Sequence, residues 1–317
     1  MRYTRQTLVL TTRGLTKRYG RRLAVDDLTL SVARGDVYGF LGPNGAGKTT
    51  TMRMLVGLVH PSAGEVRVLG EPVSPRRRGP LRRVGAIIES PSFYGYLSGR
   101  DNLRMLASLT GPCPPSRIDA VLDRVELRDR ADDPARIYSH GMKQRLAIAA
   151  ALLPGPELIL LDEPTNGLDP MGIRDMRALV RSLAHDDGLT VFLSSHLLGE
   201  VEQVCNRAAI VSAGRARWEG EVAALLAGRR RIRLGATPLD RAARVIADGF
   251  GVALHDEVAA DGTAWLPARG AAGPIAPADL VDALVAAGVR VHEIAVDEPA
   301  LEDVFVEMVG APPSEAA

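Results

Sequence analysis

The segment Gly42–Thr49 constrains what this chain can fold into more than any other part of its sequence. It reads Gly-Pro-Asn-Gly-Ala-Gly-Lys-Thr and fits the pattern G-x-x-x-x-G-K-T of a phosphate-binding loop. The apolar run Val37–Leu41 precedes it, and a helix is predicted over Thr49–Leu58. A loop between a strand and a helix N-terminus presents backbone N–H groups to an anion. The segment therefore predicts an α/β domain that binds a nucleoside triphosphate.

The residue types in this loop assign roles to its positions. Its glycines tolerate the backbone angles that a tightly curled loop requires. Lys48 is expected to reach the β- and γ-phosphates, and the Thr49 hydroxyl is expected to bind Mg²⁺. The predicted nucleotide ligands are consecutive in the sequence: Gly42, Pro43, Asn44, Gly45, Ala46, Gly47, Lys48, Thr49 and Thr50.

Two acidic residues follow a second apolar strand. Leu158–Leu161 is predicted to be a buried strand that ends at Asp162 and Glu163. A carboxylate in this place holds Mg²⁺ in phosphate-loop ATPases, which is the role predicted for Asp162. The next residue, Glu163, is placed where a carboxylate can activate or orient the attacking water. The alternative is that the two acids only cap a helix.

Strands and helices alternate through residues 1–227. This alternation predicts a mainly parallel sheet with helices on both faces. Residues from about 91 to 150 are predicted to be helical without an intervening strand, so we expect them to form a separate lobe. The predicted strands are Leu8–Thr11, Leu28–Val32, Val37–Phe40, Glu65–Val68, Val84–Ile88, Leu158–Leu161, Thr190–Ser194 and Ala208–Val211. Besides Thr49–Leu58, the predicted helices are Pro91–Gly111, Ser116–Val125, Pro170–Ala184 and two that start at Met142 and Leu197.

Residues 228–317 have a different pattern, with the order β-α-β-β-α-β. That order is the split pattern of a ferredoxin-like domain, so we predict a small α+β domain with a regulatory or dimer-supporting role. Its predicted elements are the strand Arg229–Leu234, the helix Leu239–Asp248, the strands Val252–His255 and Ala264–Pro267, the helix Pro277–Ala287 and the strand Val289–Ile294. A last helix is predicted over Ala300–Val309.

Charge and composition argue against several classes of protein. The 39 Lys and Arg residues nearly balance the 38 Asp and Glu residues, and the net charge is +1. A nucleic-acid-binding domain is strongly basic, so we expect no nucleic-acid partner. The longest apolar run, Leu146–Leu161, contains two prolines and is shorter than the roughly 20 residues of a membrane-spanning helix. The basic run Pro75–Arg83 is interpreted as a solvated loop or strand edge, or as a contact with anionic lipid headgroups.

Five segments in one fixed order resemble those of the ATP-binding-cassette (ABC) ATPases. They are Gly42–Thr49, Glu89 after its strand, Tyr138–Arg145, Asp162–Glu163 and His196 after its strand. The resemblance is strong over about Leu8–Ser212 and moderate beyond. It implies an ABC-type phosphate-loop ATPase domain with a parallel-sheet core, an antiparallel β-subdomain and a helical lobe, followed by the ferredoxin-like domain.

The resemblance also implies roles for individual residues. Glu163 matches the general base and His196 the histidine that contacts γ-phosphate and orders that base. Ser139 and Gly141 match the signature sequence, which binds the γ-phosphate held by the opposite subunit, so a homodimer is implied. Tyr19 resembles the aromatic residue that stacks on adenine, with a core tyrosine as the alternative.

Two positions depart from the usual pattern of the family. Glu89 replaces a glutamine that bridges Mg²⁺ and the helical lobe, so Glu89 is predicted to be a metal ligand. His140 replaces a small or aliphatic residue of the signature sequence. Two interpretations of His140 stay open: a tolerated substitution that points away from the nucleotide, or a titrating group near the phosphate. The residues around Glu89 and Tyr138 resemble the branch that serves bacitracin resistance, lantibiotic immunity and drug export.

The sequence therefore predicts the ATP-hydrolysing subunit of an exporter, with ATP and Mg²⁺ as its ligands. Lys48, Glu163 and His196 are the predicted catalytic residues. The membrane path is expected to come from separately encoded permease subunits, and this chain is expected to lie peripherally at the cytoplasmic face of the membrane. The alternatives are a soluble ABC ATPase that acts on nucleic acid or ribosomes, and a regulatory module that has lost hydrolysis.

Overall fold

The protein is described by a computed structural model that covers residues 7–74, 76–89, 92–109, 113–254, 263–298 and 300–309. The chain divides into two compact units, and the division falls between Gly220 and Glu221. The sequence prediction placed this boundary a few residues later, after Ala227. The helix over Val222–Ala227 begins the second unit, because its start at residue 222 lies beyond the division.

The strands and helices up to residue 221 follow one another in α/β order. The strands are β1 Leu8–Tyr19, β2 Arg22–Ala33, β3 Val37–Leu41, β4 Ala63–Val68, β5 Glu71–Pro72, β6 Val84–Ile87, β7 Leu158–Asp162, β8 Thr190–Ser195, β9 Arg207–Ser212 and β10 Arg215–Glu221. The α-helices are α1 Lys48–Leu55, α2 Gly99–Ser108, α3 Pro115–Arg124, α4 His140–Leu152, α5 Pro170–His185 and α6 Leu198–Val204.

The central sheet has the strand order β10-β9-β3-β8-β7-β6 within the described residues. The neighbours from β9 to β6 pair in parallel, which confirms the parallel core. In this register Leu41 lies opposite Ser195, and Asp162 lies opposite Ser194. Because all these strands end at one edge of the sheet, the residues that follow them meet there, where ligands bind in α/β proteins.

A second, antiparallel sheet lies in the same unit, with the order β2-β1-β4-β5 among the residues described. The predicted strands Leu8–Thr11 and Leu28–Val32 are parts of a longer hairpin, in which Tyr19 pairs with Arg22 at the turn. One hydrophobic core joins this sheet, the central sheet and α1. It includes the fully buried side chains Leu10, Leu30, Phe40, Met52, Val66 and Phe192.

The helical lobe differs from its prediction at its first helix. The sequence predicted a helix over Pro91–Gly111, whereas α2 starts at Gly99, and residues 92–98 are not helical. Ser98 is the N-cap: its Oγ accepts a hydrogen bond from the Asp101 N–H at 3.0 Å. This cap satisfies a free N–H group of the first turn, so it fixes where the helix begins. The predicted ends, Pro91 and Gly111, lie outside the described residues.

The second unit contains its own sheet and core. Its elements are α7 Val222–Ala227, β11 Arg231–Thr237, α8 Leu239–Phe250, β12 Thr263–Pro267, β13 Arg269–Gly270, β14 Gly273–Pro274, α9 Pro277–Ala286, β15 Arg290–Asp297 and α10 Leu301–Val309. The three strands β12-β11-β15 pair antiparallel within the described part of this unit. Helices α8 and α9 contribute Ile246, Leu280 and Leu284 to the hydrophobic core that they share with this sheet.

One strand predicted for this unit is absent over its described residues. The sequence predicted a strand over Val252–His255, whereas residues 252–254 form none. His255 lies outside the described residues. None of the helices that the structure describes combines the length and apolar character that a bilayer-spanning segment requires.

Candidate nucleotide site

The phosphate loop follows β3 and ends at the N-terminus of α1. Gly47 has φ 100°, in the left-handed region, and a Cβ atom there would lie 2.4 Å from the carbonyl oxygen of Ala24. A Cβ atom on Gly42 would lie 2.5 Å from the carbonyl oxygen of Val211. Because backbone oxygens cannot yield as a side chain does, both positions require glycine.

Lys48 is the buried cation of this site, with 6% of its surface exposed. Its Nζ donates a hydrogen bond to the carbonyl oxygen of Gly42 at 2.7 Å. The same Nζ lies 3.2 Å from Oε1 of Glu163. A buried ammonium group needs such partners, so the loop carbonyl and the carboxylate hold Lys48 across the mouth of the phosphate loop.

Asp162 lies beside Thr49, and the role of the two residues as Mg²⁺ ligands stays a prediction. The Thr49 Oγ1 donates to Oδ2 of Asp162 at 3.0 Å, and the Ser194 Oγ donates to Oδ1 at 2.5 Å. A hydroxyl and a carboxylate are the oxygen ligands that Mg²⁺ takes. Among the described residues, no group of three His, Cys, Asp or Glu side chains is placed to hold a metal. A cation at Asp162 would therefore take its further ligands from phosphate and water, which is how Mg²⁺ binds in phosphate-loop sites.

Glu163 lies between two groups that orient its carboxylate. Its Oε1 faces Lys48, and its Oε2 hydrogen-bonds to Nδ1 of His196. An ionised carboxylate only accepts hydrogen bonds, so Nδ1 carries the proton in this pair. The backbone of Glu163 has φ 50°, in the left-handed region that non-glycine residues rarely adopt. Such strain at a carboxylate in a cleft is typical of a functional position.

Sequence analysis missed one residue that organises both acids. Ser194 Oγ donates to Asp162 and accepts the backbone N–H of Glu163 at 3.0 Å. The pairing of β7 with β8 brings Ser194 beside Asp162, although the two residues are far apart in the chain. The only signal in the sequence was its place two residues before His196, at the end of a predicted strand.

Lys48, Thr49 and Glu163 line a cleft of about 350 Å³, whereas Asp162, Ser194 and His196 are not among its walls. Its walls are Tyr19, Arg22, Ala24, Asn44, Gly45, Gly47, Lys48, Thr49, Thr50 and Glu163. Tyr19 is 46% exposed, and Lys17 Nζ lies 4.9 Å from the centre of its ring. An exposed ring at the edge of the cleft offers a face for stacking, which excludes the alternative of a core tyrosine. Arg22 and Ala24 were not predicted, because the turn between β1 and β2 places them there.

Some predicted ligands lie outside this cleft. Gly42, Pro43 and Ala46 do not line it, although the Gly42 carbonyl fixes Lys48. Ser139 and Gly141 do not line it either. Ser139 is the N-cap of α4, and its Oγ accepts the Met142 N–H at 3.2 Å.

Glu89 has a partner that the sequence did not indicate. Its carboxylate forms an ion pair with Arg53 of α1 rather than joining Thr49 and Asp162. Glu89 is exposed and has φ 72°. Its role as a metal ligand stays a prediction.

Comparisons with known proteins identify the family of this chain. The sequence pattern of the ABC transporter family matches residues 25–166. The bacitracin transport ATP-binding protein BcrA of Bacillus licheniformis is 41% identical over 305 residues, which are 95% of this chain and 97% of that protein. The daunorubicin resistance ATP-binding protein DrrA3 of Streptomyces coeruleorubidus is 37% identical and covers 95% of this chain and 96% of its own length.

A solved structure shares the fold of the first unit. The structure of cbiO1 from Clostridium perfringens, part of the ABC transporter complex cbiONQ, has a TM-score of 0.64 and 26% identity. It covers 70% of this chain and 92% of its own. The relatives, the fold and the arrangement of Lys48, Asp162 and Glu163 lead to one conclusion: the chain belongs to the ABC transporter family, as one of its ATP-binding subunits with ATPase activity.

Proposed function

We propose that this chain hydrolyses Mg-ATP to power export of a drug or peptide antibiotic through separately encoded membrane subunits. One observation carries the chemistry. Glu163 is held between Lys48 and His196, directly after the Asp162 that bonds to Thr49. A phosphate binder, a metal pair and an oriented base thus lie at one edge of the parallel sheet. Phosphoryl transfer depends on such positioning and charge neutralisation.

Each residue of the site has a separate task in hydrolysis. Lys48 binds the β- and γ-phosphates. Its ion pair with Glu163 breaks when ATP binds, because the phosphate competes for the same ammonium group. The Thr49 hydroxyl and Asp162 would hold Mg²⁺, which neutralises negative charge on the phosphate oxygens. Glu163, released from Lys48 and oriented by His196, accepts the proton of the attacking water. Tyr19 stacks on the adenine ring.

A second copy of the chain completes each site. Ser139 and Gly141 stand at the N-terminus of α4, outside the cleft of their own chain. A helix N-terminus with a serine hydroxyl binds anions. We therefore assign both residues to the γ-phosphate bound by the partner copy.

The helical lobe offers a surface for the membrane subunit. A groove of about 490 Å³ lies between β6, α2 and α4, and apolar side chains such as Phe93, Leu106 and Leu109 line it. Leu109 is 78% exposed, and Tyr96 nearby in the chain is 71% exposed. Exposed apolar side chains beside a groove mark a binding surface. A cytoplasmic segment of the permease would occupy it and hold the chain at the membrane.

The names of the relatives indicate the class of cargo. One relative serves bacitracin transport and another daunorubicin resistance. The test expresses the chain with the membrane protein encoded beside its gene and measures cellular accumulation of bacitracin and of daunorubicin. We expect the wild-type pair to lower accumulation of one of them, and the pair with Lys48→Ala not to. ATP hydrolysis by the purified chain without any effect of the pair on either compound would reject this class of cargo.

A further inference from the structure

His140 forms a hydrogen bond that its position in the signature sequence did not predict. It is the first residue of α4, directly after the N-cap Ser139. Its Nε2 lies 3.1 Å from the backbone carbonyl oxygen of Asn166. A carbonyl oxygen only accepts, so Nε2 carries the hydrogen and donates it. The imidazole donates this bond both as the Nε2–H tautomer and as the imidazolium ion.

The acceptor belongs to the segment Pro164–Asp169, here named the 164–169 loop, which directly follows Glu163. Gly167 of this loop has φ 74°, and a Cβ atom there would lie 3.3 Å from Nε2 of His140. That distance is tighter than ordinary van der Waals contact, and the left-handed backbone at this position also favours glycine. The imidazole therefore lies against the backbone of the loop at a place where the loop has no side chain.

Two further side chains hold the same loop from different elements. Gln144 of α4 donates through Nε2 to the carbonyl oxygen of Pro164 at 3.3 Å. Thr165 Oγ1 donates to Oε2 of Glu200, which lies on α6 shortly after His196. The loop is thus attached both to α4, which begins in the signature sequence, and to α6, which follows His196. Of these three attachments, His140 is the one at the end of α4 next to Ser139 and Gly141.

We propose that His140 is a positioning residue that fixes Ser139 and Gly141 against the 164–169 loop through its Nε2–H donor. The bond joins the N-terminus of α4, where Ser139 and Gly141 are proposed to bind the partner copy's γ-phosphate, to the loop that directly follows Glu163. This inference rests on the proposed function, because it assigns a task within that site. It gives His140 a role that neither interpretation of the sequence included, since the imidazole can donate this bond without a change in its charge.

Three variants of the full-length chain separate this role from simple packing. His140→Leu fills similar space without a donor. His140→Gln keeps an amide N–H at the reach of Nε2. His60→Leu is the matched control, because His60 is also exposed and lies outside the site. For each variant we would measure kcat and KM for ATP, the affinity for a fluorescent ATP analogue, and the melting temperature.

We expect His140→Leu to lower kcat by about 3- to 10-fold, the effect of one lost hydrogen bond. Affinity for the ATP analogue should be unchanged, because the cleft of one chain does not include His140. His140→Gln should restore most of kcat, and His60→Leu should match the wild type. A wild-type kcat in His140→Leu, or a kcat in His140→Gln as low as in His140→Leu, would overturn the proposal. The proposed function fails separately, if Glu163→Gln does not slow hydrolysis.

Discussion

At the scale of single residues, the catalytic edge of the sheet depends on contacts between strands that are distant in sequence. The phosphate loop could be recognised in the sequence because its residues are consecutive, and the place of Asp162 and Glu163 because they follow an apolar strand. The roles of these residues as ligands and base stay predictions. Ser194 could not be predicted, because its partners come from the register between β7 and β8. The ion pair of Arg53 with Glu89 could not be predicted either, because folding brings together two residues that are distant in sequence.

Ser194→Ala tests whether that serine organises both acids. The change removes the donor to Asp162 Oδ1 and the acceptor of the Glu163 N–H. We expect kcat to fall by about 10-fold, because two hydrogen bonds that orient the acids are lost. Steady-state ATPase assays measure this effect. Ser182→Ala on α5 is the control, since the Oγ of that serine donates to the carbonyl oxygen of Leu179 in its own helix. Equal rates for the two variants would mean that Ser194 is not needed for orientation.

At the scale of elements, helix starts depend on caps more than on hydrophobic periodicity. The sequence placed the first lobe helix from Pro91, whereas the Ser98 cap delays it to Gly99. The signal was present as Ser98 followed by Asp101, a spacing typical of helix starts. The hairpin β1–β2 was underestimated because its alternation is irregular, and the structure has register shifts there. By contrast, the parallel strands β3, β6, β7, β8 and β9 contain short apolar runs and were predicted within a few residues of their observed bounds. The remaining strand of the central sheet, β10, has the polar sequence of Arg215–Glu221 and was not predicted.

Ser98→Ala tests the cap and its dependence on pH. The Ser98 hydroxyl, and then Arg104, hold the pKa of Asp101 below its ordinary value. A depressed carboxylate pKa stabilises the folded chain above the pKa of the unfolded state, and this contribution is lost as pH falls through the folded pKa. We expect Ser98→Ala to cost about 1 kcal/mol at neutral pH.

Urea unfolding, followed at neutral and at acidic pH, measures the effect of Ser98→Ala. The difference in the free energy of unfolding between wild type and variant should shrink in acid, as Asp101 becomes protonated in both. A difference that grows in acid would contradict the account. Ser108→Ala at the other end of α2 is the control, because the Oγ of that serine donates to the carbonyl oxygen of Met105 in the same helix.

The ion pair between Glu89 and Arg53 gives a test of the predicted metal ligand. A carboxylate that moves within about 4 Å of Mg²⁺ gains several kcal/mol of attraction even at an effective dielectric constant of roughly 20. We expect Glu89→Gln to raise the Mg²⁺ concentration for half-maximal ATPase activity. Arg53→Gln should lower that concentration, because Glu89 no longer has a competing partner. If ATPase activity depends on Mg²⁺ concentration in the same way in the wild type, Glu89→Gln and Arg53→Gln, Glu89 takes no part in metal binding.

For the whole molecule, the residues that line the nucleotide cleft and the residues of the second unit lie in separate parts of the sequence. Every residue that lines the nucleotide cleft precedes Gly220, and the second unit has its own hydrophobic core. Several strands and helices of the second unit could be predicted because their hydrophobic periodicity is clear. The assignment of this unit to a ferredoxin-like fold stays a prediction. The second strand predicted for this unit was not found where the sequence placed it, since residues 252–254 have no strand partner that the structure describes.

A chain that ends at Ala227 tests this division of labour. It keeps the cleft and lacks the core of the second unit, so it should bind ATP with an affinity similar to that of the full chain. Dimer formation with ATP should weaken, or coupling to transport should change, because the sequence predicts a regulatory or dimer-supporting role for the second unit. Fluorescent ATP titration and sedimentation of the folded truncated chain measure the two properties. Loss of ATP binding in that folded chain would reject the division.

The central claim is that Glu163 accepts a proton from water in a site that two copies of the chain share. Glu163→Gln keeps the size of the side chain and removes the base. The decisive measurement is size-exclusion chromatography of this variant with Mg-ATP, together with its hydrolysis rate. We expect retained ATP binding, elution as a dimer, and hydrolysis at least about 100-fold slower than in the wild type. A variant that stays monomeric with Mg-ATP and hydrolyses it at the wild-type rate would contradict the account.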